Sequence, residues 1–133
     1  MRAFTIEEDR SSRYRRLFKL VARDSWNGEI GRITVNRPRY ARFSDIYGIR
    51  VEPAFQRRGV GTALYEAAAA LSCTRLKAPL ASSTVRSPMA DQFWRKQYVK
   101  NRAHCSRWVG GAGQRWCEHY VLSCPAPRDL GYG

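Results

Sequence analysis

The residues Gln56, Arg57, Arg58, Gly59, Val60, Gly61 and Thr62 lie where a strand-like pattern gives way to a helical one. A strand that ends in a glycine-bearing turn and runs straight into a helix presents unpaired backbone N–H groups at the positive end of the helix dipole, a ready site for a pyrophosphate. Gly59 and Gly61 permit close backbone approach, Thr62 adds a hydroxyl donor, and Arg57 and Arg58 add positive charge. Taken alone, a helix entry with packing glycines would look the same.

A second group is His104, Cys105, Cys117, His119 and Cys124, which approach one another if the C-terminal third is a hairpin. With Cys73 they complete the four cysteines, and no C-x-x-C pair spells out a zinc knuckle or a redox motif. Buried free thiols are therefore expected, with no metal.

The elements that position these residues follow from periodicity. Residues 14 to 23 are rich in Leu, Phe and Val at near-alternating positions, and Asn27-Gly28 is a hairpin turn signal leading into Glu29 to Val35. Phe43, Asp45, Tyr47, Ile49 and Val51 fall on one face of a third strand, with Ile46, Gly48 and Arg50 on the other. Val60, Ala63, Leu64, Ala67, Ala68 and Leu71 follow the spacing of an amphipathic helix. Pro79 to Ser82 reads as a buried strand, and Ser87-Pro88 starts a helix that runs to about Lys100, with Ala90, Phe93, Trp94 and Tyr98 on its apolar side. Two strands, Ala103 to Val109 and Arg115 to Ser123, flank a glycine-rich turn, and Pro125 and Pro127 close the pattern. This order predicts one domain over residues 1–133, an α/β sandwich around a mixed, largely antiparallel sheet flanked by helices.

The 133 residues carry 24 Lys and Arg against 11 Asp and Glu, a net charge of +13 that attracts polyanions: nucleic acid, an acidic protein or a cofactor's phosphates. The basic residues run from Arg2 to Arg128 rather than forming one tail, which equally describes a solvated basic surface. No stretch reaches the roughly 20 apolar residues of a membrane span, so no membrane partner and a cytoplasmic setting are expected.

The run from Val51 to Tyr65 resembles the acetyl-CoA-binding motif of the GNAT superfamily of acyltransferases, Q/R-x-x-G-x-G/A after a strand, with Gln56, Gly59 and Gly61 at its defining positions. The likeness covers residues 44 to 100 well. It differs from a dinucleotide-binding fingerprint, which follows the first strand of a parallel unit, and from a P-loop, whose Gly-Lys-Ser/Thr ending is absent. The resemblance implies an acetyl-CoA-dependent N-acetyltransferase acting on a primary amine. It implies that the strand containing Ile49 and Val51 meets the pantetheine arm, that the N–H groups of Arg58 to Thr62 hold the pyrophosphate, and that the thioester lies where this strand and the Pro79 to Ser82 strand splay apart.

The family's usual acid, a tyrosine on the last helix, is replaced by Trp94, which is expected to line the cofactor, and the position of its usual glutamate base falls near Ser82. Tyr98, one turn on, is the candidate acid, and Asp45 a candidate for holding a cationic acceptor. The one or two helices that the family places between its first two strands have little room between about Glu8 and Tyr14. That leaves an open acceptor face or a cleft completed by a second subunit, and the homodimer is the reading adopted. A basic module binding nucleic acid or an acidic partner, and a degenerate CoA-binding fold, are the alternatives.

Overall fold

The computed structural model of the protein describes residues 3–11 and 14–125; Pro127 and the ends of the basic run, Arg2 and Arg128, lie outside the described residues. Its elements are β1 (Phe4–Glu8), β2 (Leu17–Asp24), β3 (Glu29–Asn36), β4 (Ser44–Val51), α1 (Val60–Leu71), β5 (Leu80–Ala81), α2 (Pro88–Val99), β6 (Ala103–Val109) and β7 (Trp116–Leu122). The strands form one sheet in the order β1-β2-β3-β4-β5-β7-β6. Among the described residues only the β4–β5 pairing is parallel. This is the mixed, largely antiparallel sheet that the sequence predicts.

Both helices pack on one face. A Cβ at Gly31 of β3 would sit 3.1 Å from Val60 and 3.2 Å from Leu64, so glycine here lets α1 lie close against the sheet. Phe18, Leu20, Ala22, Ile33 and Val35 meet Val60, Leu64 and Ala68 in the core. The second helix adjoins the first through Tyr65 and Phe93, whose rings stack with centroids 4.3 Å apart. Burial of this apolar stripe, rather than intrinsic propensity, supplies most of the stability of two 12-residue helices.

Among the described residues no helix covers the opposite face of β1 to β4. Ion pairs line it instead: Arg32 bonds Asp9 and Glu29, each at 2.8 Å, Arg50 bonds Glu29 at 3.2 Å, and Arg23 bonds Glu7. Val21, paired with Glu7 and Arg32 across the strands, is only 1% exposed beneath them. Hydrogen bonds from Ser11, then from Arg32, hold the Asp9 carboxyl well below the usual range, and Arg32 lowers Glu29.

Two expectations are corrected. The first concerns β4, where Ile46 pairs with Val35 and Gly48 with Thr34, leaving Tyr47 as the extra residue of a bulge. The bulge turns Ile46 to the same side as Ile49 and Val51, toward the core, while Asp45 pairs with Asn36 and faces away from the helices. The second concerns the thiols: Cys73 bonds Cys124 and Cys105 bonds Cys117, with Cα atoms 5.7 and 5.9 Å apart, so none of the four is free. Neither bridge is local in sequence, the separations being 51 and 12 residues; the fold of the sheet brings each pair together.

Two outcomes follow from these linkages. Because Glu29 and Asp9 have folded values below their ordinary 4.5 and 3.8, their contribution is present above those values and lost as pH falls through the lower folded ones. Arg32→Met is therefore expected to reduce stability in urea melts at neutral pH, and the difference from the parent is expected to shrink only as pH is taken below about 3. Removing Cys73–Cys124 by paired serine substitution is expected to cost about 4 kcal/mol, and removing Cys105–Cys117 about 3 kcal/mol, from loop-closure entropy. Denatured, unreduced protein should show no thiol reacting with a chromogenic disulfide reagent.

Candidate functional site

The β4–β5 pairing consists of two residue pairs, Ser44 with Leu80 and Asp45 with Ala81, after which no ladder joins the two strands. Past that point a groove of about 220 Å³ opens on the helix-bearing side. Ile49 and Val51 of β4 form one wall, the turn residues Gln56, Arg57, Gly59, Gly61 and Thr62 close one end, and Tyr65 and Phe93 line it from the two helices.

The turn is built for an open helix start. Gln56 donates its side-chain N–H to the Val51 carbonyl at 3.2 Å, tying the turn to the end of β4. Arg57 and Gly59 are left-handed, with φ of 62° and 84°, and Gly59 caps α1 without any side-chain bond to its first N–H groups. By contrast, Ser87 caps α2 and accepts from the Ala90 N–H at 3.2 Å. A Cβ at Gly61 would touch only Val51, at an ordinary 3.8 Å, so the fold itself does not require glycine there. The backbone at that position faces the groove.

Arg86 holds the segment after β5. Its side chain is only 6% exposed and donates to the carbonyls of Ser83 and Glu118, each at 2.8 Å, and to that of Cys117 at 2.6 Å. It also pairs with Asp91 at 3.0 Å, and its guanidinium lies 5.0 Å from the centre of the Tyr120 ring. One buried cation thus ties the segment after β5 to β7 and to the first turn of α2.

Seven of the twelve residues singled out from sequence line the groove: Ile49, Val51, Gln56, Arg57, Gly59, Gly61 and Thr62. Arg58 instead lies over Phe55, 5.7 Å from its ring centre, and Val60 is buried beneath Gly31. Trp94 is 1% exposed, enclosed by Tyr65, Phe93 and Tyr120 behind the groove wall. Tyr98 lies in a different cleft, between α2 and the β6–β7 hairpin, against Trp108 and Tyr120. Asp45 sits at the last β4–β5 pair on the face away from the helices. The Ser82 hydroxyl is spent on the backbone, donating to the Ser83 carbonyl and accepting from the Tyr120 N–H, both at 3.0 Å.

Tyr65 escaped the sequence reading as a site residue, and His119 entered it only as part of the Cys/His group. Tyr65 stands one helical turn beyond Gly61, a spacing that puts both on the groove side of α1. His119 neighbours Tyr120 on β7 and so points to the opposite face, toward Asp45; its Nδ1 lies 2.7 Å from the Ser106 hydroxyl and its ring packs edge-on to Phe43. Burial pushes the imidazole below its ordinary value, against the pull of the Asp45 carboxylate.

Comparison with known proteins places this architecture. The family model described as "Acetyltransferase (GNAT) family" matches residues 4–83. An IAA acetyltransferase from Bacillus cereus aligns with a TM-score of 0.57 at 17% identity, over 89% of this chain and 95% of that one. A GNAT family acetyltransferase from Elizabethkingia anophelis, solved with acetyl-CoA bound, aligns with a TM-score of 0.58 at 14% identity, over 90% and 95%. Nourseothricin acetyltransferase aligns with a TM-score of 0.57 at 20% identity over 82% of this chain, which spans 66% of that protein. A search of curated proteins finds no match.

Replacing Arg86 by methionine would leave three inward-facing carbonyls without their donor. A loss of about 3 kcal/mol in chemical denaturation is expected. Exposed Arg95→Met, at the far side of Asp91, should cost well under 1 kcal/mol.

Proposed function

Since the chain belongs to the GNAT acetyltransferase family, we propose that it moves an acetyl group from acetyl-CoA to a primary amine, with the groove between β4 and α2 as the cofactor site. The observation that carries this reading is the start of α1, where an uncapped helix end and a glycine that the fold does not need both border one groove. In that groove the N–H groups of Arg58 to Thr62 and the Arg57 guanidinium would hold the pyrophosphate. The β4 backbone at Ile49 and Val51 would bond the pantetheine arm, and Phe93 would cover its apolar length. When bound, acetyl-CoA supplies an activated acyl group; the chain supplies position and charge, which can contribute several kcal/mol to lowering the barrier.

The acceptor would approach the divergence of β4 and β5 from the face without helices. There the Asp45 carboxylate attracts a cationic amine, and a His119 imidazole kept neutral can take up the proton that an attacking amine sheds. A second subunit is the proposed cover for this face, where Tyr47 is 65% exposed. Two disulfides favour an oxidising setting over the cytoplasmic one that composition alone points to.

Calorimetric titration with acetyl-CoA at physiological salt, which suppresses non-specific attraction of a polyphosphate to a basic surface, tests the reading. Gly61→Glu is expected to abolish binding while keeping the parent's melting profile, because its Cβ has room but its carboxylate enters the groove. Absent binding in the parent, or equal binding in the folded variant, would remove the acetyl-CoA reading.

A further inference from the structure

The reaction proposed above leaves one task unassigned, the protonation of the departing thiolate, and this inference rests on that reading. Trp94 lies behind the groove wall and Tyr98 lines another cleft. We propose that Tyr65, on the opposite helix, is the general acid: its phenol lines the groove beside Ile49, Val51 and Phe93, and Trp94 holds it in place.

Hydrogen-bond polarity supports the assignment. The Tyr65 side chain bonds that of Trp94, their rings set at 75° with centroids 5.7 Å apart. An indole N–H can only donate, so the phenol oxygen is the acceptor in this bond, and its own hydrogen must be given elsewhere. Among the described residues no other group accepts it. The phenol belongs to a residue 5% exposed, stacked on Phe93 so that its ring cannot swing away, and its remaining access is the groove.

The electrostatics suit a proton donor. Burial raises the Tyr65 phenol above its ordinary value, which keeps the hydroxyl protonated at neutral pH, while the Trp94 bond and the positive charge of Arg86 act the other way. Those two influences favour the phenolate once the proton has left. In the transfer, the amine nitrogen forms its bond to the acetyl carbon, and the C–S bond breaks with its electron pair going to sulfur. Tyr65 passes its hydroxyl proton to that sulfur. The proton shed by the amine passes to the His119 imidazole and from there to solvent, from which the phenolate recovers its own. Trp94 touches no reacting atom; it is a positioning residue.

The test uses free CoA, whose thiol reports on a nearby donor without any acceptor being known. Thiolate absorbance of CoA bound to the full chain is followed against pH. In the parent, the bound thiol is expected to ionise about one pH unit below free CoA, because a hydrogen bond from the phenol favours the thiolate. Tyr65→Phe should keep CoA affinity and abolish this shift, and Trp94→Phe should reduce it. Acetyl-CoA consumption with n-butylamine as acceptor should fall about 100-fold in Tyr65→Phe. CoA bound by both proteins with identical thiol ionisation would overturn the assignment and leave the cofactor site standing. Failure of the parent to bind CoA would instead overturn the cofactor site itself. If Tyr65→Phe does not fold, the Trp94→Phe ionisation curve decides: unchanged from the parent, it overturns the assignment.

Discussion

The structure turns on the place where β4 and β5 stop pairing. Two parallel strands that diverge after two residue pairs leave unladdered backbone on both edges, and buried backbone groups must find partners. The molecule meets this demand asymmetrically. On the β5 side the sheet continues through Tyr120, which exchanges bonds with Ser82, and Arg86 gathers the carbonyls that follow. On the β4 side the Glu52 N–H bonds Ile30 on the edge toward β3, and on the other edge Gln56 bonds the Val51 carbonyl while the rest faces the groove. The gap is thus held open by satisfied structure on either side, as a ligand channel requires and as a packing defect would not.

The same asymmetry runs through the whole sheet. One face is dry, closed by two helices whose aromatic residues interlock around Tyr65, Phe93, Trp94 and Tyr120. The other carries no helix over β1 to β4 among the described residues, and its charged side chains lie flat over Val21. Partly exposed ion pairs contribute little individually. A chain with half its sheet uncovered has less apolar burial to draw on, and two covalent cross-links compensate by restricting the unfolded chain. One bridge ties the segment after α1 to the chain just past β7, and the other staples β6 to β7.

Long periodic segments were legible in the sequence, and single-residue irregularities were not. The stripe from Val60 to Leu71 and the Ser87-Pro88 start each specify a helix through several independent positions, so an error at one does not move the element. The strand β6 was bounded to the residue because its flanking turns are marked by composition. The β1 strand is short and three of its five residues are Thr or Glu, so little apolar periodicity marks it. In β4 one bulged residue, Tyr47, inverts every face assignment before it, which moved Asp45 to the opposite side of the sheet from Ile49. The disulfides depend on which strands are neighbours, information that no local pattern around Cys73 or Cys124 carries. The groove was located because its glycines and Gln56 are close in sequence; Tyr65 and Phe93, which line it from two helices, had to be brought together by the fold.

Trp94 shows how one substitution reaches across the groove. An indole placed in a buried position carries an N–H that must be accepted by something, and leaving it unpaired costs about 1–3 kcal/mol. The acceptor is a phenol from the other helix, so Trp94 and Tyr65 form a matched pair: removing the phenol strands the indole, and removing the indole frees the phenol to turn. A purely structural pair of this kind is best kept wholly inside the core, where no solvent competes for the bond. Here one partner is sealed and the other borders the groove. On the reading proposed above, the acid comes from α1 and the indole on α2 positions it.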